Sequence, residues 1–202
     1  MKKPISLIAI LILLISIMSI LSFSSREYSE SISILESLKE KYSIFAIPKP
    51  SSNIYFANER VPLENPDIWE RYDKELLKNT YWQSNTLLLY KRAAKYFPLI
   101  EPILKKNNLP DDFKYLSLIE SGLENVTSPA GAKGFWQIMK STAKEFNLEV
   151  NSEVDERYHI EKSTQAACDF LNSAKEKFGT WTLAAAAYNM GRSGLLKQIN
   201  RQ

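Results

Sequence analysis

Glu120 stands where a carboxylate is costly to keep charged. Residues 112–121 read as a helix, and at about 100° per residue Phe113, Leu116, Ile119 and Leu123 fall within one arc of about 120°. Glu120 lies inside that arc. A carboxyl on an apolar face loses hydration, which disfavours its charged form and raises its pKa. That is the property a general acid needs near neutral pH. The same placement also fits a Glu paired with a buried Arg or Lys, or one reaching solvent from a helix end. Glu124, the nearest second acid, follows the expected helix end at Gly122 and reads as a solvated loop residue.

The segment downstream sharpens the choice. Residues 128–134 form a stretch of small residues whose backbone can pass close to a ligand. Phe135-Trp136-Gln137-Ile138-Met139 adds aromatics, an amide and a flexible apolar side chain. Tyr188-Asn189 closes a run of four alanines. Aromatic faces and amides suit sugar rings, which offer apolar faces and hydrogen-bonding edges. Singly, each of these residues reads as core or turn; the ordered set is specific.

The elements that must position them are helical. Asn65-Pro66 marks a helix start, with a capping residue before proline at the first helical position. Helical patterns follow to about Asn79, over 83–96, over 98–107 and over 112–121. Further helices are expected to begin at Ser141 and over 163–178 and 182–188, with a last one after Gly194. Alternating strand runs are absent, so the sequence predicts an all-α domain with short helices around a substrate cleft.

Composition excludes several classes. The chain of 202 residues carries 45% hydrophobic and 24% charged residues and a net charge of +3. No basic block interleaved with aromatics points to nucleic acid. With one histidine and one cysteine, neither a His/Cys metal cluster nor a histidine-based triad is available. No metal or cofactor is expected. Cys168, within a helical pattern, reads as a buried structural thiol, and His159 as a loop residue.

The N-terminus predicts export. Lys2 and Lys3 precede an uncharged run over 5–23. As a helix it spans ~28 Å, close to a bilayer core of ~30 Å. The lysines orient the remainder outward. The run reads as an inner-membrane anchor, with a cleaved signal segment as the alternative. Residues 1–24 are thus an anchor or signal segment, 25–64 a helix followed by an extended linker, and 65–202 the main domain.

Glu120-Ser121, the run from Ser128 to Met139, Asp155-Glu156-Arg157, Ser163-Thr164 and Ala187-Tyr188-Asn189-Met190-Gly191 together resemble the lytic transglycosylase (SLT) domain. This is the lysozyme-like fold of glycoside hydrolase family 23, and the likeness is greatest to its membrane-bound D-type enzymes. The resemblance implies cleavage of the MurNAc-β-1,4-GlcNAc bond of peptidoglycan without water. Glu120 matches the family's catalytic acid. By position, Ser128 would hydrogen-bond near the reacting sugar and Gln137 and Met139 would line the groove. Tyr188 and Asn189 would hold the sugar or Glu120. Asp155 and Glu156 are expected to hold Arg157 and local backbone.

Related domains usually continue into further helices, one with a Glu-Thr-x-x-Tyr-Val element close to the acid. No such element lies between Gly191 and Gln202, which predicts a more hydrated Glu120. Two other readings share the resemblance: a muramidase-type hydrolase, and a non-catalytic glycan-binding or scaffold protein. The expected setting is the periplasmic face of the inner membrane, with glycan strands as substrate and wall-synthesis proteins as candidate partners.

Overall fold

A computed structural model describes residues 53–201 continuously, together with positions 18–19, 32–34, 36–38, 41, 47 and 49–50. The chain divides into two units, Met1–Pro48 and Lys49–Gln202. In the first, positions 32–34, 36–38 and 41 are helical, in keeping with the helix expected at the start of 25–64. The apolar run over 5–23 lies almost wholly outside the described residues. Among the described residues no helix is long and apolar enough to cross a membrane.

The second unit is a helical domain with one small hairpin. Strands β1 (Tyr55–Phe56) and β2 (Glu59–Arg60) pair antiparallel. The expected linker therefore folds over its last residues, and the compact unit begins before Asn65. The reason lies in contacts no local pattern reveals: Ala57 is buried, and the Phe56 ring meets Phe113 edge-on at 5.4 Å.

Helix α1 (Pro66–Tyr81) starts as expected, with the Asn65 side chain accepting from the Asp67 amide at 3.0 Å. Helix α2 (Gln83–Lys106) then runs unbroken where two separate helices were expected. Pro98 and Pro102 each lack an N–H, freeing the carbonyls of Ala94 and Pro98. Ala94, Pro98 and Pro102 are all exposed, so water meets those carbonyls. The opposite face buries Ala93, Ile100 and Leu104, which holds the helix together.

A 3-10 turn (Asp111–Phe113) leads into α3 (Lys114–Ser121), which stops at Gly122 in the left-handed conformation. Short helix α4 (Lys140–Glu145) follows the loop over 122–139, and a second 3-10 turn (Glu156–Tyr158) precedes α5. Helix α5 (Ile160–Phe178) is the centre of the core: eight of its residues are buried, from Ser163 to Ala174. His159 lies outside the helices, as expected of a loop residue, and caps α5, though its bond to the Lys162 amide is long at 3.5 Å. Helix α6 (Trp181–Met190) packs on α5 through Ala184 and Ala187, both fully buried. Helix α7 (Arg192–Ile199) completes the described chain.

Candidate active site

Glu120 is the penultimate residue of α3 and is half-buried. Its surroundings differ from the expected apolar arc in one respect. Phe113 and Leu123 are buried, but Ile119 is 75% exposed, and the inward position one turn before Glu120 is Ser117. The helix has turned its Ser117 edge, not its Ile119 edge, toward the core. The consequence for the acid survives. Burial pushes the Glu120 carboxyl above the usual carboxylate range. Among the described residues no Arg or Lys pairs with it, as the ion-pair alternative would require.

The next residue ties α3 to the loop. The Ser121 hydroxyl lies 2.9 Å from the Phe135 carbonyl and 3.1 Å from that of Ser117. The Tyr188 hydroxyl donates to the neighbouring Trp136 carbonyl at 2.6 Å. Trp136 is fully buried, and its indole N–H donates to Thr164 Oγ1 at 2.8 Å. Two successive carbonyls and one indole thus pin the loop to α3, α6 and α5. Burial raises the Tyr188 phenol well above its ordinary pKa, and the nearby charge of Glu120 adds to it. Glu120 and Tyr188 therefore lie within electrostatic reach of each other, from opposite ends of the set of motifs.

The loop itself is a tight curl. Lys133 bridges to Thr127 on one side and to Ile138 on the other. Gly134 has φ +77°, and a Cβ there would sit 2.0 Å from the Arg157 carbonyl oxygen. Only glycine tolerates that approach. Arg157 is buried beneath the curl, where it grips the Asp155 carboxylate through Nε at 2.8 Å and Nη2 at 2.7 Å. Its Nη1 reaches the carbonyls of Gly131 at 3.1 Å and Ile138 at 3.2 Å. The Arg157 guanidinium holds the Asp155 carboxyl down to about 2. Glu156 accepts from the Glu149 amide and pairs with Lys162. These two acids serve Arg157 and local backbone, as expected.

The other residues singled out by sequence are placed as follows. The Ser128 hydroxyl oxygen accepts from the Ala132 amide at 3.0 Å, leaving its proton for a further partner. Gln137 spends both amide hydrogens inside the curl, on Val126 at 3.2 Å and Gly134 at 2.9 Å. Its carbonyl oxygen is what remains for a ligand. Met139 and Asn189 are exposed, at the start of α4 and in the last turn of α6. Glu124 pairs with Arg92 and is no free second carboxylate. Cys168 is fully buried, and burial pushes its thiol up to about 12, which makes it inert. Sequence reasoning assigned no role to Thr164 or to the Ser121 hydroxyl, although both stood in quoted motifs. Their partners are a buried indole and a loop carbonyl, which no helical pattern discloses.

The segment that carries this acid, the phenol and the glycine-tight curl is similar in sequence to a known family. The model of the Transglycosylase SLT domain matches residues 97–202, just over half of the chain. The chain belongs to that family, the lysozyme-like lytic transglycosylases. Among curated relatives, it is 35% identical over 138 residues to membrane-bound lytic murein transglycosylase D of Escherichia coli (strain K12), which covers 67% of this chain. It is 32% identical over 126 residues to a putative tributyltin chloride resistance protein of Alteromonas sp. (strain M-1). The matched region spans 30% of the E. coli protein's length and 61% of the Alteromonas protein's.

Proposed function

We propose that this protein is a peptidoglycan lytic transglycosylase in which Glu120 serves first as acid and then as base. The observation that carries the reading is the half-buried Glu120 carboxyl, raised in pKa and with no cationic partner among the described residues. A protonated Glu120 gives its proton to the glycosidic oxygen as the bond to MurNAc C1 breaks. The muramoyl 6-hydroxyl oxygen then bonds to C1, and its proton returns to the Glu120 carboxylate. No water is consumed, and the products are a 1,6-anhydro-MurNAc end and a GlcNAc 4-hydroxyl.

One carboxylate suffices because the nucleophile belongs to the substrate. An attacking group held within the same molecule has an effective molarity of up to about 10⁵–10⁸ M. Enzymes that use water or a covalent intermediate need a second carboxylate near the first, and Glu124 is engaged by Arg92. Ser128, Gln137, Met139, Tyr188 and Asn189 are proposed to contact the glycan. The exposed Asn189 and Met139, the open Gln137 carbonyl and the unspent Ser128 proton support that assignment.

The relative's name, a membrane-bound murein enzyme, supports a place in the cell envelope. With the apolar run over 5–23 as anchor, the domain would work on wall close to the inner membrane, facing the periplasm. Wall-synthesis proteins are candidate neighbours there.

The test is digestion of purified sacculi by the full chain, followed by borohydride reduction and mass spectrometry. Anhydro ends that resist reduction support the lyase. Reducible ends in their place sink it in favour of a muramidase. Undiminished cleavage by Glu120→Gln removes Glu120 from the mechanism, and binding without cleavage by the unaltered chain favours a scaffold.

A further inference from the structure

We infer that the β1–β2 hairpin is a clamp that sets the spacing between α3, whose last turn carries Glu120, and α6, whose last turn carries Tyr188 and Asn189. The inference rests on the proposed role of Glu120 and concerns what holds that residue in its surroundings. The hairpin lies outside residues 97–202, the part that the family model matches.

Its two anchors are two residues apart. The Ala57 amide donates to Asp112 Oδ2 at 2.6 Å, one turn before α3. The Glu59 carboxylate accepts from three donors at the start of α6: the Trp181 amide at 2.6 Å, the Thr182 amide at 2.9 Å and the Thr182 hydroxyl at 2.6 Å. With Thr180 Oγ1 taking the Leu183 amide at 3.1 Å, the first three amides of α6 are satisfied. A carboxylate at a helix N-terminus also complements the helix dipole.

The link between the anchors is stiff. Ala57 and Asn58 have φ of 51° and 64°, the positive values a two-residue hairpin turn requires. An alanine in that conformation is strained and persists where its surroundings over-determine it. Ala57 is only 2% exposed, so the pocket around it does so. An aromatic ladder runs the same way: Phe56 to Phe113 at 5.4 Å, and Phe113 to Trp181 at 5.3 Å, both edge-on. Hydrogen bonds and rings therefore join the leading ends of the two helices whose trailing ends carry Glu120 and Tyr188. Letting α6 shift changes the burial around Glu120, which lies within electrostatic reach of Tyr188.

The experiment follows the Glu120 side-chain carboxyl by ¹³C NMR titration in the full chain, with turnover on soluble glycan strands measured in parallel. The variants are Glu59→Ala and Thr180→Ala. Thr180→Ala removes a cap from the same helix but leaves both hairpin anchors intact. The clamp predicts that Glu59→Ala moves the Glu120 midpoint down and lowers kcat about 10- to 100-fold with little change in KM. Thr180→Ala should lower Tm while leaving the midpoint and kcat unchanged. If Glu59→Ala lowers Tm and leaves both unchanged, the hairpin is a stabilising cap only and the inference falls. If the unaltered chain cleaves nothing while Glu59→Ala still moves the midpoint, the clamp stands and the catalytic reading falls. Glu59→Gln, which keeps one acceptor, is read the same way where Glu59→Ala does not fold.

Discussion

Tyr188 donates its hydroxyl proton to the Trp136 carbonyl at 2.6 Å, so the phenol oxygen has only lone pairs left for any other neighbour. Glu120 lies close enough for its charge to raise the phenol's pKa. The Glu120 carboxyl is itself raised by burial. The bond to the loop thus fixes a phenol that senses the charge of the acid.

Tyr188→Phe should leave the Glu120 midpoint raised, because burial is what raises it and a phenyl ring fills nearly the same space. The variant also leaves the Trp136 carbonyl without its partner, at a cost of about 1–3 kcal/mol. A ¹³C titration with a chemical-denaturation curve checks both. A lowered midpoint would mean that the hydroxyl takes part in the raised pKa.

Glu120→Gln should cost activity about 10²- to 10⁴-fold and yet stabilise the domain at neutral pH. The sign follows from linkage. The folded-state pKa is raised, so the native chain holds its proton to higher pH than the unfolded chain. Stability therefore falls as pH rises from the unfolded value, about 4.3, through the folded one. Above that window the native state carries the cost of a half-buried carboxylate, and glutamine removes it. Melting curves at pH 7 and pH 4 check this: the gain in Tm should be present at the first and small at the second.

Gly134→Ala should unfold the curl. The left-handed conformation alone costs a non-glycine residue about 1–3 kcal/mol, and the Cβ would overlap the Arg157 carbonyl at 2.0 Å. A fall in Tm of ~5 °C or more is expected. Gly131, also at positive φ but with nothing within 4 Å, is the comparison, since Gly131→Ala meets only the conformational cost.

Arg157→Lys should be costly although it keeps the charge. A lysine offers a point charge where a planar fork serves two carboxylate oxygens and two carbonyls. Breaking such a buried pair costs about 3–5 kcal/mol. The depressed pKa of Asp155, about 2, means that its contribution is present above the unfolded pKa and lost as pH falls through about 2. Denaturation at pH 7 and at pH 3 should show the variant losing less on acidification than the unaltered chain. Equal losses would detach Asp155 from Arg157.

Much of the site was legible because its chemistry is local. Glu120 near a helix end, the glycine of the curl and the Asp155–Arg157 pair each declare themselves within a few residues. Where the reading slipped, the deciding partner was distant in sequence. Ile119 was expected on the inner face, but Ser117 occupies it, since burial depends on what α3 packs against and not on hydropathy alone. Pro98 and Pro102 were expected to divide a helix. They fall on its solvent side, where a lost hydrogen bond is made good by water. The hairpin was expected as linker because its anchors, at Asp112 and Trp181, lie some 55 and 122 residues away. The apolar run over 5–23 remains a reading from sequence.

The unbroken helix Gln83–Lys106 has a practical corollary. The family match opens at residue 97, inside it. A cut there would discard Arg92, whose Nη1 donates to the Gly122 carbonyl at 3.1 Å just past Glu120, and Tyr96, whose ring meets Phe135 at 4.8 Å. The residue at which the family model opens is thus no boundary at which the fold can be divided.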